Sequence, residues 1–334
     1  MKAAFLNKSN RIYTEEIALP DLDSDQVLVQ VESVGICGSD VHYYKHGAIG
    51  PYVVEKPIIL GHELSGVITA VGSGVSMERI GSRVAVEPQR ACKACKQCKA
   101  GRYNLCPEIE FYATPPIDGA FCEFVKIQSH FAYDLPANIS FDAAALIEPM
   151  SVCIWAAQKA QIESGTTVLI AGAGPIGVIM AQVARAFGAT EVVVTDVQDK
   201  RLDFVRKYGA TRTINTLTNS IGQEKFDVFV DACGVPSAVH AGILATGPAG
   251  RVLLVGLGSD EMLLPISHIQ NNEIIVTGVF RYTNTWPTGI DFLASGKVNL
   301  DAIVTHHFGL DEVEEGLKAT SYPDAMKVVI HPQK

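Results

Sequence analysis

Cys37, followed after a gap by His62 and Glu63, offers a thiolate, an imidazole and a carboxylate. These three ligand types together can hold a zinc ion with one coordination position open, which separates a catalytic zinc from a structural one closed by four protein ligands. A second set, Cys92-x2-Cys95-x2-Cys98-x7-Cys106, is of the closed kind: four soft ligands on one short loop, with Lys93, Lys96 and Lys99 between them to offset charge that zinc leaves uncompensated. The third signal is Gly172-Ala173-Gly174-Pro175-Ile176-Gly177, directly after the apolar run 167–171 and at the start of an apolar helix. In that context Gly172 allows a tight turn, Gly174 lets backbone approach a pyrophosphate, and Gly177 lets helix pack closely on strand. The free N–H groups of the helix N-terminus then face the phosphates.

Secondary residues extend each signal. Asp196 ends the next predicted strand at about the 20-residue offset where a carboxylate accepts hydrogen bonds from the ribose hydroxyls of NAD and repels a 2′-phosphate. NAD is therefore favoured over NADP. Arg201 is placed to stack on adenine or to bridge to Asp196. Beside Cys37, Ser39 and His42 supply the hydroxyl and imidazole of a proton relay, and Asp40 is expected to orient His62, as metal-bound histidines require. Glu148, just before Pro149 at a predicted helix start, competes with Glu63 for the third ligand position. The residues leave that choice open.

The elements that must position these groups fall into two textures. Up to about residue 147, β-branched runs at 26–34, 64–71, 83–86 and 121–127 are broken by glycine and proline, which predicts short strands in an irregular, barrel-like domain whose turns carry the metal ligands. After Glu148-Pro149, candidate strands at 168–171, 191–196, 212–215, 227–231, 251–256 and 273–278 alternate with helical stretches such as 176–187 and 199–208. Alternation of this kind specifies a parallel, doubly wound sheet, so the fold class is α/β with two domains. The expected bounds are 1–147 for the zinc-binding domain, 148–283 for the nucleotide-binding domain, and 284–334 for a tail, ending in a strand at 327–330, that returns to the first.

At 334 residues, 48% hydrophobic and 19% charged, the composition is that of a globular enzyme with more than one core. A formal charge of −9 without a basic run argues against nucleic acid as a partner. The N-terminal apolar stretch is too short for a signal peptide, which predicts a cytoplasmic protein. Four of the eight cysteines sit at metal-ligand spacing, so thiolates on zinc are expected rather than disulfides, and Cys122, Cys153 and Cys233 are expected as small buried hydrophobes. Residues 164–184 carry no charge and are long enough for a membrane helix, but three glycines and a proline in their middle indicate a buried strand, turn and helix.

Taken together, the segments 35–43, 60–63, 102–105, 113–116, 146–149, 255–258 and 279–286 make the chain resemble the zinc-containing medium-chain dehydrogenase family over essentially its whole length, within it the polyol branch of sorbitol and xylitol dehydrogenases. The resemblance implies a GroES-like catalytic domain beside a Rossmann domain. It implies Cys37, His62 and Glu63 as catalytic zinc ligands, with Glu148 touching the metal or its water where ordinary alcohol dehydrogenases carry a cysteine. It also implies substrate contacts from Tyr43, Glu148, Arg281 and Tyr282, and NAD contacts from Ile176, Asp196, Arg201, Val255, Gly256, Leu257, Val279, Phe280 and Arg281. The activity so implied is oxidation of an acyclic polyol to a ketose by hydride transfer to NAD, with two zinc ions per chain in a homotetramer or dimer. Oxidation of 2,3-butanediol or threonine is the alternative within the family, and a zinc-stabilised NAD-binding protein without catalysis is the alternative outside it.

Overall fold

Buried at nearly every position, Gln26–Gly35 is the central strand of a seven-stranded sheet. One edge pairs antiparallel with Glu63–Val71 along its length, while the other is divided: Phe124–Gln128 takes residues 26–30 and Lys327–His331 takes residues 34–35. Two register shifts against Glu63–Val71, between Leu28 and Val29 and between Val31 and Ser33, bend the strand. Arg83–Val86 and Ala132–Asp134 extend the sheet on one side and Val304–Gly309 on the other. This is the irregular barrel-like sheet expected, its core built from Val29, Val31, Val34, Leu64, Ile68, Val84, Val86 and Phe121.

The second sheet is six-stranded and wholly parallel, in the order Arg212–Asn215, Glu191–Asp196, Thr167–Ala171, Phe226–Asp231, Thr246–Leu254, Ile275–Gly278. In chain order that is 3-2-1-4-5-6, the doubly wound arrangement whose ligands lie beyond the carboxyl ends of the strands. The uncharged stretch 164–184 contains the strand Thr167–Ala171, a glycine turn and most of the helix Pro175–Ala186, which is buried from Gly177 through Ala184. Among the described residues no helix is long and apolar enough to cross a membrane.

The computed structural model describes residues 1–259 and 261–334, and they divide into two units, Met1–Glu148 with Leu300–Lys334 and Pro149–Asn299. The sequence-based limit stands at 283, whereas the second unit runs on through residues 284–299, including the helix Trp286–Ala294. That helix begins Trp-Pro, contains a glycine and follows no turn signal, so the strand–helix alternation is masked where it continues. The tail returns from Leu300, and it brings two neighbouring parallel strands, Val304–Gly309 and Lys327–His331, of which only the second was expected.

Candidate active site and metal centres

Cys37 caps the N-terminus of the helix Gly38–His46 in extended conformation. Three residues on, Asp40 folds back: Oδ2 accepts from the Cys37 N–H at 2.9 Å and Oδ1 from the Gly61 N–H at 2.9 Å. This fully buried carboxylate thus ties the segment bearing Cys37 to the one bearing His62, and its Oδ1 lies 3.7 Å from His62 Nδ1. Gly61 adopts φ +86°, and a Cβ there would stand 2.7 Å from the Phe121 ring, so glycine is required just before His62.

Glu63 opens the strand Glu63–Val71 opposite Gly35. A Cβ on Gly35 would lie 2.1 Å from Glu63 Oε2, so the missing side chain is the space the carboxylate occupies. Lys327 Nζ donates to Glu63 Oε1 at 2.7 Å, lies 2.6 Å from Oε2, and donates to the Ile36 carbonyl at 2.8 Å. Glu63 and Lys327 are both buried. A lysine in an apolar strand gave no sign of this role in the sequence.

The ligand atoms of Cys37, His62 and Glu63 lie within 4.8 Å of one another. Burial opposes charge on the His62 imidazole, but Asp40, Cys37 and Glu148 around it overcome that and hold its pKa up at about 10. The pocket therefore has a strongly negative potential, and with its sulfur, nitrogen and oxygen donors it fits a zinc ion. Glu148 is buried in the first turn of the helix Ile147–Ala160, where it adds charge to the field at His62 and Lys327 without belonging to the three-residue cluster. Ser39 is half-buried on the same helix as Cys37, His42 is exposed on it with its ring 4.6 Å from that of His46, and Tyr43 is buried.

The sulfurs of Cys92, Cys95, Cys98 and Cys106 also lie within 4.8 Å of one another, with no disulfide among them. Cys92 and Cys98 Sγ are 4.0 Å apart, close to the edge of about 3.8 Å that a tetrahedron of Zn–S bonds near 2.3 Å requires. Backbone N–H groups point at the sulfurs: Cys95 donates to Cys92 at 3.3 Å, Cys98 to Cys95 at 3.4 Å and Cys92 to Cys106 at 3.4 Å. The N–H groups of Ala94 and Cys95 hold the Cys92 thiol down at about 7, so it ionises readily. The four sulfurs fit a closed zinc site.

In the second unit each glycine of the nucleotide loop has a separate steric reason. Gly172 has φ +101°, a Cβ on Gly174 would meet nothing nearer than an Arg201 nitrogen at 3.9 Å, and a Cβ on Gly177 would fall 1.8 Å from the Gly172 carbonyl oxygen. Asp196 Oδ2 accepts from the Ala173 N–H at 2.7 Å and Oδ1 from those of Val197 and Gln198, so the strand-end carboxylate fastens the loop. Ile176 and Arg201 are half-buried nearby in sequence, and Val255 and Gly256 donate to the Asp231 carbonyl. Sequence reasoning passed over Asp231, whose Oδ1 accepts from the Cys233 and Gly234 N–H groups and organises the neighbouring turn. It also passed over Val197 and Val235, which with Leu257 and Phe280 are apolar yet exposed just beyond the carboxyl ends of the parallel strands. Apolar exposure there suits a flat ring ligand.

Val279 donates to the Leu254 carbonyl, Arg281 has φ +51° with its guanidinium 4.8 Å from the Phe280 ring centre, and Tyr282 is fully buried edge-on to Trp286. Tyr282, expected as a substrate contact, is as buried as Glu63. Because the Gly177 contact is with backbone, Gly177→Ala has to push the helix off the turn. The expected result is a rise of roughly tenfold in the NAD dissociation constant, about 1.4 kcal/mol, by calorimetric titration, with zinc content unchanged.

Comparison with known proteins gives two family matches: the alcohol dehydrogenase GroES-like domain over residues 23–137 and the zinc-binding dehydrogenase domain over residues 175–295. The chain is 43% identical to a sorbitol dehydrogenase of Bacillus subtilis, covering 100% of this chain and 98% of that one. It is also 43% identical to a sorbitol dehydrogenase of Bos taurus, covering 95% and 92%. Among solved structures, a short chain alcohol dehydrogenase of Escherichia coli complexed with NADH superposes with a TM-score of 0.92 at 29% identity over 99% of both chains.

Proposed function

The chain belongs to the zinc-binding alcohol dehydrogenase family, and from that premise we propose that it catalyses reversible, NAD-dependent oxidation of a secondary alcohol in an acyclic polyol, of the sorbitol or xylitol type, to a ketose. The observation that carries this reading is the cluster of half-buried Cys37 with buried His62 and Glu63. A carboxylate as third ligand gives a harder, more anionic centre than a second thiolate would, suited to hydroxyl-rich substrates.

Zinc, when bound, supplies Lewis acidity that makes an alcohol easier to deprotonate, and NAD supplies the hydride acceptor. Cys37, His62 and Glu63 hold the metal, and Cys92, Cys95, Cys98 and Cys106 hold a second, structural ion. Asp40 fixes the orientation of the His62 ring, and Lys327 that of the Glu63 carboxylate. Ser39 accepts the hydroxyl proton of the substrate while passing its own hydroxyl proton on to His42, which, exposed at the surface of the same helix, releases a proton to water. Glu148 contributes negative charge and a hydrogen-bond acceptor at the reacting hydroxyl. Tyr43 and Arg281 bind the remaining hydroxyls, a polar recognition that discriminates more sharply than an apolar pocket. Tyr282 joins them in that contact from its buried position. Gly172, Gly174, Ile176, Gly177 and Arg201 receive the dinucleotide phosphates and adenosine, Asp196 the ribose hydroxyls, and Val255, Gly256, Leu257, Val279 and Phe280 the nicotinamide half. The same reading carries with it a cytoplasmic homotetramer or dimer, which sedimentation would resolve.

Initial rates on sorbitol, xylitol, galactitol, ribitol and 2,3-butanediol, each with NAD and NADP, test the assignment. The expected outcome is kcat/KM on sorbitol or xylitol about 10²-fold above that on butanediol, with NAD preferred. Turnover of butanediol with none of the four polyols would replace the substrate class.

A further inference from the structure

In the first unit a third group of metal-binding side chains stands apart from both zinc clusters. Ligand atoms of Asp142, His307 and His331 lie within 4.8 Å of one another. His307 Nδ1 is 2.9 Å from His331 Nε2 and 3.5 Å from Asp142 Oδ2, and His331 Nε2 is 3.5 Å from Asp142 Oδ1. A tetrahedral ion with nitrogen and oxygen ligands at about 2.0–2.2 Å spaces them about 3.3–3.6 Å apart. The two 3.5 Å separations fall in that range, each to a different oxygen of Asp142, so the carboxylate faces both imidazoles, and the imidazole pair opens by ~0.4 Å through rotation of the exposed His307 ring.

The surroundings fix these ligands as those of a metal site are fixed. His331 Nδ1 lies 3.0 Å from the Glu32 carbonyl, a bond only a protonated Nδ1 can donate, which leaves the Nε2 lone pair facing the cluster. Asp142 Oδ1 accepts from the buried Ser33 hydroxyl at 2.7 Å. The backbone explains the convergence: Lys327, Val329 and His331 alternate onto one face of their strand. His307 is paired in register with Val329, so His331 is its diagonal neighbour.

From this geometry we infer a third metal site, in which Asp142, His307 and His331 bind a divalent transition cation of the zinc type with at least one position left to water. The ion joins both strands of the returning tail, Val304–Gly309 and Lys327–His331, to the short helix Phe141–Ala145. Its role is that of a surface clamp. Two imidazoles and one carboxylate with solvent access make it weaker and more readily exchanged than the thiolate cluster.

The test is calorimetric titration of Zn2+ into the zinc-loaded, full-length protein after gel filtration, with metal content per chain measured in parallel. The wild type is expected to take up one further ion saturably, with a rise in Tm. His307→Ala and His331→Gln are each expected to weaken that uptake at least tenfold and to remove the Tm response, while retaining the ions bound before titration. His306→Ala, next to His307 but outside the cluster, is expected to bind as the wild type does. Absence of saturable uptake by the wild type, or equal uptake by wild type and His307→Ala, would overturn the site and leave the two imidazoles as a simple hydrogen-bonded pair.

Discussion

Replacing Cys37 with alanine is expected to lower kcat/KM on the preferred polyol by about 10³-fold or more, a loss of about 4 kcal/mol, while NAD affinity stays within about twofold. The backbone geometry that Cys37 provides survives the change, because its N–H, not its sulfur, is what Asp40 accepts from. The helix Gly38–His46 keeps the Asp40 half of its capping box, so the variant removes a ligand without removing the element that presents it. The nucleotide loop and Asp196 lie in the other structural unit and owe nothing to the thiol. Metal analysis completes the test: the wild type is expected to retain two ions through buffer exchange and the variant one, that of the cysteine quartet. An active Cys37→Ala enzyme would refute the ligand role. A wild type with a single ion, whose removal merely unfolds the Cys92–Cys106 loop, would favour a zinc-stabilised nucleotide-binding protein without catalysis.

What could be read from the sequence follows from how local each feature is. The four cysteines occupy one short loop and the glycines of the nucleotide turn six consecutive positions, so spacing alone carried their geometry. The same holds for the parallel sheet, whose strands 168–171 and 191–196 agree with the observed elements to within one residue. Cys37 and His62 were legible only by residue type, since it takes Asp40, bonded to both Cys37 and Gly61, to join their segments. The position of the Glu63 carboxylate was not legible, because it is set by partners far away: Gly35 across the sheet, and Lys327, 264 residues further along the chain. Nothing in Lys-Val-Val-Ile distinguishes a lysine that snorkels at a strand end from one that ends on a buried carboxylate. The end of the second unit was hard to read for a related reason, since the apolar helix Trp286–Ala294 is assigned by its packing rather than by any break in composition.

Lys327 therefore carries the second large prediction. Its ammonium is buried, donates to both Ile36 and Glu63, and has its pKa raised by Glu63, Cys37 and Glu148 against the opposing effect of burial. Lys327→Met keeps the length of the side chain and removes the charge, leaving the Glu63 carboxylate buried beside other anionic groups with no cation. Removing one partner of a buried ion pair costs about 3–5 kcal/mol, so chemical denaturation of the metal-depleted variant should show a deficit of that order. The metal-loaded variant should show less, because a dication offsets the same charge. Activity should fall roughly 10–100-fold even with zinc content restored, as expected when a group that orients a ligand is lost. Adding Glu63→Gln separates the two effects. The double variant removes the unpaired charge and is expected to regain most of the lost stability, but with the ligand gone it is expected to be less active than Lys327→Met. Recovery of activity along with stability would show that Lys327 and Glu63 serve only to hold the strands Glu63–Val71 and Lys327–His331 in place, and the third ligand would then be sought at Glu148.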